Sequence, residues 1–190
     1  IWKGSWRWYS EEMLDCCSPL EVVRKEGLTL DDFACEARCN GAMATVTRVE
    51  NGEDEAAVAK FREAVKEVCK SSEQKIVVSY HRGTLLQTGT GHFSPIGGYH
   101  EKSDQVLILD VARFKYPPHW VPLPLLVKSM STIDPATQLT RGYMVLLKSH
   151  QHMSAVLRVS VGRSQWKQFA DAYRETFQFR LKKVCLKTFS

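Results

Sequence analysis

The sequence predicts an α+β fold, in which a helical part is followed by an antiparallel sheet. Between Glu53 and Lys70 apolar residues recur at helical spacing beneath a charged outer face, which predicts a helix. After this helix the pattern changes to short apolar and β-branched runs typical of strands, at 75–80, 92–99, 106–112 and 143–147. A polar turn at 101–104 would join the second and third strands into an antiparallel hairpin.

Two further helices are predicted in the N-terminal part. Ser10 would cap the first, which is interrupted near Pro19. Thr29 and Asp32 have the spacing of a capping box, so a second short helix would begin there and end at Asn40 and the following glycine. The helical part is therefore expected to consist of three helices before the first strand.

The second half contains a rigid loop, a short helix and a boundary. The Tyr-Pro-Pro-His-Trp stretch at 116–120 predicts a surface loop, and 123–130 predicts a short helix. A boundary near Ser149 would divide the chain into a domain at 1–149 and a tail at 150–190. The tail holds a predicted strand at 155–161 and an amphipathic stripe at 166–177, a spacing typical of core packing.

Composition restricts the class of protein. With 190 residues and 44% hydrophobic content, the chain suits one globular domain with a substantial core. The net charge of +5 is spread along the chain without a basic cluster interleaved with aromatics, which argues against nucleic-acid binding. No apolar run reaches the length of a membrane span. A cytoplasmic protein with neither nucleic-acid nor membrane partners is expected.

The most informative segment surrounds His92, which Asp110 follows eighteen positions later. A cysteine-nucleophile triad runs Cys, His and then Asn or Asp, with the last two on neighbouring strands. In a regular hairpin Asp110 would lie opposite Pro95, too far from His92 for a direct hydrogen bond. A bulge at Gly97 and Gly98 would shift the register and bring the two side chains into contact.

Such a contact predicts catalysis, with one structural alternative. The Asp110 carboxylate would hold the His92 imidazole, which would take a proton from a thiol and return it to a leaving amine. However, Asp110 also ends an apolar run and needs a partner, because burying an unpaired carboxylate costs several kcal/mol. A structural ion pair with Arg82 or Arg113 would meet that need without catalysis. No convincing nucleophile precedes His92.

Six segments of the chain share a pattern with a known family. They are WKGSWRW at 2–8, MLDCC at 13–17, SYHRG at 79–83, TGTGHFSPIGGYH at 88–100, LILDVARFKYPPHW at 107–120 and IDPATQLTRGYM at 133–144. Together they resemble the catalytic domain of eukaryotic phytochelatin synthases and span residues 2–148 in the family's order. The tail resembles the family's variable C-terminal region more weakly.

The resemblance implies a papain-like fold and transfer of γ-glutamylcysteine. A cysteine attacks the Cys–Gly peptide of glutathione, glycine leaves, and the acyl-enzyme passes γ-Glu-Cys to another glutathione or a growing phytochelatin, in heavy-metal detoxification. His92 corresponds to the family's base and Asp110 to its orienting acid. The resemblance places the nucleophile, with a neighbouring oxyanion-hole side chain, before Ile1, so this chain is expected to lack the nucleophile-bearing helix and to be inactive alone.

Substrate-binding residues also follow from the resemblance. Asp134 and Arg141 match residues that hold the α-amino and α-carboxylate groups of the γ-glutamyl moiety, roles that suit a carboxylate and a guanidinium. An exposed ion pair between the two is the structural alternative. Arg113 and Lys115 would bind carboxylates of a second glutathione or of its metal complex. The whole predicted set is Gly91, Arg113, Lys115, Asp134, Arg141 and Tyr143.

Six cysteines are many for a cytosolic domain, but an adjacent pair fits poorly into a small disulfide framework, so reduced thiols are expected. Cys16, Cys17, Cys35 and Cys39 match family cysteines other than the nucleophile, and are predicted metal-sensing thiolates. Cys35 and Cys39 would lie on one helix face, which is half of a soft-metal site and not a zinc motif. Buried structural thiols are the alternative.

No organic cofactor is expected. Cadmium, zinc or a similar ion would act as an activator or as part of the thiolate substrate. Glutathione, its metal thiolates and phytochelatin peptides are the expected partners, together with a second copy of the chain in a homodimer. Two other functions stay open: a non-catalytic thiol or metal-binding module, and a papain-like peptidase or glutathione hydrolase in which water resolves the acyl-enzyme.

Overall fold

A computed structural model describes the backbone of residues 2–3 and 6–7 and the whole of residues 17–148. The chain divides into the units Ile1–His152 and Met153–Ser190, and the description concerns the first. The first part of the helix predicted after Ser10, at 10–16, lies outside the described residues, as do the strand predicted at 155–161 and the stripe at 166–177. The predicted interruption near Pro19 is present, since the helix described there begins at Leu20. The division of the chain into 1–149 and 150–190 stays a prediction.

A six-stranded antiparallel sheet forms the centre of the described region. Its strands are β3 (Ala42–Arg48), β4 (Gln74–His81), β5 (Gly91–His100), β6 (Gln105–Ile108), β7 (His119–Pro122) and β10 (Gly142–Lys148). They lie in the order β3-β10-β4-β5-β6-β7. Two small antiparallel pairs accompany it, β1 (Trp2–Lys3) with β2 (Trp6–Arg7) and β8 (Ile133–Asp134) with β9 (Leu139–Thr140).

Four α-helices are described: α1 (Leu20–Glu26), α2 (Leu30–Cys39), α3 (Glu55–Lys70) and α4 (Leu123–Met130). The predicted capping box begins α2, with the Asp32 amide donating to Thr29 Oγ1 at 3.1 Å and the Thr29 amide donating to Asp32 Oδ2 at 3.2 Å. The Asp54 carboxylate caps α3 by accepting from the Ala56 amide. The predictions of α2, α3 and α4 are confirmed, and none of the described helices has the length and apolar character of a membrane span.

Helices cover the sheet on both faces. Phe61 and Val65 of α3, with Leu126 and Val127 of α4, are fully buried against one face. Leu30 and Ala34 of α2 pack with Val77 and Met144 on the other. Because both faces of β4 are covered, residues 76–80 are all buried, which explains the continuous apolar run of this strand. The predicted α+β class is confirmed.

Two sequence-based predictions near the site are wrong in their bounds. The strand predicted at 106–112 ends at Ile108, because the chain then turns and Asp110 Oδ1 accepts from the Ala112 amide at 2.8 Å. The loop predicted at 116–120 ends earlier than expected, since residues from His119 pair with β6. Strand β3 was not predicted, because its alternation consists mostly of alanine and threonine.

Candidate active site

His92 and Asp110 are in direct contact. His92 Nε2 donates to Asp110 Oδ1 at 2.9 Å. The predicted bulge produces this contact, because the register between β5 and β6 shifts between Ile96 and Gly98. The Leu109 amide then donates to the Pro95 carbonyl, so continuing the register places Asp110 level with Ser94, on the same face as His92. The sequence predicts a hydrogen bond between His92 and Asp110 only if a bulge shifts the register, and the structure contains both the bulge and the hydrogen bond.

Arg82 completes a group of three charged or titratable side chains, in which Arg82 and Asp110 are buried and His92 is partly exposed. It follows β4, and its Nη2 lies 3.0 Å from Asp110 Oδ1 and 2.8 Å from Oδ2. Arg82 is 4% exposed and Asp110 is 1% exposed. Oδ2 has the ion-pair contact but no aligned hydrogen-bond donor among the described residues. Catalysis and an Arg82 ion pair were weighed as alternatives, yet the structure contains both contacts at one carboxylate.

The surroundings favour a neutral imidazole and an ionised carboxylate. Burial lowers the pKa of His92, the Arg82 charge lowers it further, and Asp110 opposes both. For Asp110, burial acts to raise the pKa, but the Ala112 amide, Arg82 and His92 outweigh it and the pKa lies below its ordinary value. His92 Nδ1 is the ring nitrogen not engaged by Asp110, so it is the one that can accept a proton from a reacting group.

A cavity of about 530 Å³ lies beside His92. Its walls come from the α1–α2 connection, the start of β5 and the β8–β9 hairpin. Among the lining residues are the predicted Gly91, His92, Asp134 and Arg141, and also Glu26 and Thr29, which sequence reasoning missed. Thr29 carried a capping signal that marked it as structural, and nothing in the sequence pointed to Glu26.

Arg141 is a buried cation beside this cavity. It is 5% exposed, and its Nη1 lies 3.6 Å from Asp134 Oδ2, which is too long for a hydrogen bond. Its Nε has no hydrogen-bond partner among the described residues. The predicted exposed ion pair is therefore wrong as an alternative, since both side chains are largely buried. A guanidinium held this way can bind a carboxylate by donating two parallel hydrogen bonds to it.

Tyr143 was predicted to bind substrate, but the structure places its side chain in the core. Its ring packs against Phe61 with centroids 4.9 Å apart, on the face of the sheet that α3 covers. Tyr143 is 4% exposed and does not line the cavity. The reason is strand alternation: the side chains of β10 point to opposite faces in turn, and Tyr143 points into the core.

Arg113 and Lys115 lie on the loop that follows Asp110. Arg113 lines a separate hollow of about 350 Å³ together with Asp110 and Pro118. Lys115 Nζ donates to the Thr88 carbonyl at 3.2 Å and lies 5.6 Å from the Tyr116 ring centroid. Both cations are exposed beside the His92–Asp110 pair, and their predicted role in anion binding stays a prediction.

The cysteines differ from expectation. Cys17 and Cys35 form a disulfide, and Cys39 is disulfide-bonded as well. The Cys17 amide donates to Glu36 Oε2 at 3.3 Å, so the chain before α1 runs beside α2. This path brings the Cys17 sulfur to the Cys35 sulfur. A disulfide sulfur is not a thiolate, so the prediction that Cys17, Cys35 and Cys39 are metal-sensing thiolates is wrong for this oxidised state. Cys16 lies outside the described residues.

No alternative metal centre replaces the predicted one within residues 17–148. Groups of three or more His, Cys, Asp or Glu side chains placed to hold an ion do not occur there. Cys69, on α3, is a free and exposed thiol, and it does not line the cavity at His92.

Arg82 and its neighbours were missed as site residues. The sequence indicates Arg82 only as a structural partner of Asp110, although it lies in the Ser-Tyr-His-Arg-Gly segment. Its guanidinium also stacks on the Tyr116 ring at 4.8 Å and donates to Gln87 Oε1 at 2.7 Å. These contacts join the loop at 82–90 to the loop at 110–118, which no local sequence signal reveals.

Comparison with known proteins agrees with the geometry. The family model for phytochelatin synthase matches residues 1–143. The Lotus japonicus protein named glutathione gamma-glutamylcysteinyltransferase 3 is 50% identical over 186 residues, covering 98% of this chain and 38% of that protein. The Arabidopsis thaliana protein named glutathione gamma-glutamylcysteinyltransferase 1 is 44% identical over 174 residues, covering 92% and 35%.

A fungal relative shows the same relationship. The Schizosaccharomyces pombe glutathione gamma-glutamylcysteinyltransferase is 45% identical over 170 residues, covering 88% of this chain and 39% of that protein. The chain thus spans less than two fifths of the length of these relatives. The family match and these identities confirm the resemblance seen in the sequence motifs, and the chain belongs to the phytochelatin synthase family.

Proposed function

We propose that the protein transfers γ-glutamylcysteine from glutathione to a second glutathione or to a phytochelatin, and that residues 1–148 supply part of a papain-like catalytic domain. One observation carries this proposal. The His92–Asp110 pair borders a cavity whose wall holds the buried Arg141, whose Nε has no hydrogen-bond partner within residues 17–148. A cavity of this kind suits a substrate with a charged, amino-acid-like end beside its reacting bond.

The γ-glutamyl group of the donor glutathione would occupy the cavity at His92. Its α-carboxylate would accept hydrogen bonds from Arg141, which would satisfy the buried Nε. Its α-ammonium would donate to Asp134, whose side chain also lines the cavity. The Cys–Gly peptide would then extend toward His92 Nδ1, where acyl transfer needs a base.

The first half-reaction forms an acyl-enzyme. His92 Nδ1 takes the proton of a cysteine thiol, and the thiolate sulfur bonds to the carbonyl carbon of the Cys–Gly peptide. As the carbon–nitrogen bond breaks, the imidazolium gives that proton to the glycine nitrogen, and glycine leaves. Asp110 holds the ring through Nε2 and stabilises the imidazolium. We place the nucleophile outside the described residues, since no cysteine lines the cavity there.

The second half-reaction consumes the thioester. His92 takes a proton from the α-amino group of an acceptor glutathione, whose nitrogen attacks the thioester carbonyl. The carbon–sulfur bond breaks and the thiolate returns, leaving a γ-Glu-Cys unit added to the acceptor. The hollow beside Asp110, with Arg113 on its wall and Lys115 nearby, would receive an acceptor that carries carboxylates and a metal-bound thiolate.

In this proposal cadmium or zinc enters as part of the acceptor thiolate, and no organic cofactor takes part. A cytoplasmic location follows from the substrate, because the cytosol holds a glutathione pool. Metal detoxification would follow from the product, since a chain of γ-Glu-Cys units presents several soft thiolates to a metal ion. A homodimer stays a prediction.

The decisive experiment uses a chimera in which this chain replaces the matching segment of the Lotus japonicus relative, called here the Lotus chimera. Incubated with glutathione and cadmium, it should release glycine and form γ-Glu-Cys polymers. His92→Ala is the matched control and should abolish both. Glycine release without polymers would indicate a hydrolase instead. A folded chimera that releases no glycine, beside an active relative, would refute the proposal.

A further inference from the structure

A line of hydrogen bonds runs from Asp110 through Arg82 to strand β7. Arg82 Nη1 donates to Gln87 Oε1 at 2.7 Å. Gln87 Nε2 lies 2.9 Å from His119 Nε2, and His119 Nδ1 lies 2.8 Å from the Pro117 carbonyl oxygen. None of Arg82, Gln87 and His119 lines the cavity at His92 or the hollow at Arg113. Gln87 and His119 can therefore act on the reacting atoms only through Arg82 and Asp110.

The two ends of this line fix every donor and acceptor in it. A guanidinium can only donate, so the Gln87 atom that faces Arg82 must be the amide oxygen. A carbonyl oxygen can only accept, so His119 Nδ1 must carry a proton. With Nδ1 protonated, His119 Nε2 accepts from the Gln87 amide nitrogen only when the ring is neutral. The network is complete with the neutral Nδ1–H tautomer of His119.

A second proton on His119 cannot be accommodated. Nε2–H would then face the Gln87 amide N–H group, which places two donors opposite each other. Turning the Gln87 amide would satisfy His119, but it would place the amide N–H group against the Arg82 guanidinium. In either orientation one hydrogen bond is lost, and the loss falls next to the buried Arg82–Asp110 pair.

We propose that Gln87 and His119 are positioning residues for the acyl-transfer site, with neutral His119 orienting Gln87, Gln87 holding Arg82, and Arg82 holding Asp110 against His92. This inference rests on the proposed function for the role of the His92–Asp110 pair. The support of Asp110 therefore depends on His119 staying in its neutral Nδ1–H tautomer.

Other titratable and charged groups lie near this line of hydrogen bonds, and their effects must be distinguished from those of His119. From the loops, Arg82 stacks on Tyr116, the Tyr116 hydroxyl meets Thr88, and Lys115 lies over the same ring. From the sheet, β6 places uncharged Ile108 opposite His119, and His100 packs against Trp120. The remaining groups of this region are His92 and Asp110 beyond Arg82, and Arg113 on the 110–118 loop.

The first test reads the imidazoles directly by nuclear magnetic resonance, on this 190-residue chain. Long-range ¹⁵N–¹H spectra should show His119 as the Nδ1–H tautomer at neutral pH. Gln87→Ala should shift the His92 ring resonances, because Arg82 and then Asp110 lose the support of Gln87. An Nε2–H tautomer of His119, or His92 resonances unaffected by Gln87→Ala, would overturn the inference.

Gln87→Glu provides a variant of similar size that keeps an acceptor for Arg82. A carboxylate at position 87 accepts from Arg82 and from a protonated His119 together, so the donor conflict disappears. The His92 ring resonances should therefore stay closer to those of the wild type in Gln87→Glu than in Gln87→Ala. Equal shifts in the two variants would count against the network.

The second test measures activity in the Lotus chimera. Gln87→Ala should lower kcat by about 10- to 100-fold through misplacement of the base, with a similar KM for glutathione. Gln87→Glu should recover much of the loss, because its carboxylate still accepts from Arg82. His100→Gln is the matched control, because it removes an exposed histidine outside the network. It should leave kcat and KM unchanged.

The two tests separate the inference from the function beneath it. An inactive but folded wild-type chimera refutes acyl transfer, while the tautomer and the His92 response can still be read in the chain. An active wild-type chimera whose kcat does not change in Gln87→Ala refutes the positioning role alone.

Discussion

The Arg141 guanidinium lies against the α-carbon of Gly91, the residue directly before His92. A Cβ at position 91 would overlap the Arg141 side chain, so the glycine makes room for the buried cation. The same glycine begins β5, whose next residue pairs with Tyr80 on β4. Because Gly91 directly precedes His92, this close approach places the Arg141 cation beside the residue before the candidate base.

Gly91→Ala should consequently weaken donor binding without unfolding the protein. The methyl group must displace Arg141 from the cavity, and loss of one charge-assisted hydrogen bond of about 1.5–3 kcal/mol corresponds to roughly 10-fold or more in affinity. We expect a higher KM for glutathione in the Lotus chimera. Lys102→Ala is the control, because Lys102 is exposed on the turn between β5 and β6 and does not line the cavity. Equal KM values for the two variants would contradict this reading of Gly91.

Arg82→Gln should raise the pKa of His92 and destabilise the fold. The Arg82 charge is one of the causes that lower the His92 pKa, so its removal moves that pKa back toward the ordinary value. Breaking a buried ion pair by removing one partner costs about 3–5 kcal/mol, and here both side chains are at most 5% exposed. Titration of the His92 ring and urea unfolding at neutral pH would measure the two effects. A lower His92 pKa in the variant would show that Arg82 acts mainly by positioning Asp110.

Stability should fall in two stages as the pH is lowered. The folded-state pKa of His92 lies below its ordinary value, so between the two values the unfolded chain binds more protons and stability declines as pH falls. The Asp110 pKa is also depressed, so its contribution is present above its unfolded pKa and is lost at more acid pH, as pH falls through the folded pKa. Urea midpoints across this range would show both stages. His92→Gln should remove the first stage and keep the second.

Local signals account for what the sequence predicted correctly. The capping box at Thr29 and Asp32 and the apolar spacing of α3 are set by neighbouring residues, so they are visible without the fold. The bulge was predictable because Gly97 and Gly98 provide it, and without a bulge His92 and Asp110 could not meet. The candidate base and its acid were therefore identified from about twenty contiguous residues.

Non-local choices explain the rest. Arg82 and Arg113 were equally plausible partners for Asp110, and only the packing of the 82–90 and 110–118 loops selects Arg82. For Tyr143, the alternation of β10 was clear, but which face α3 would cover was not. The disulfide depends on the path of the chain before α1 relative to α2, which spacing along the sequence does not determine.

Reduction of the disulfide between Cys17 and Cys35 should loosen one wall of the cavity. The bond closes a loop with a sequence separation of 18 residues, which contains α1 and the cavity-lining residues Glu26 and Thr29. A loop of this size stabilises a fold by about 3 kcal/mol in the chain-entropy model. We expect Cys35→Ser, or a reductant, to lower the melting temperature and to weaken binding of S-methylglutathione to the chain. Cys69→Ser is the matched control, since Cys69 is a free, exposed thiol. A reductant that leaves both properties unchanged would show that the helix packing of α2 alone holds the wall in place.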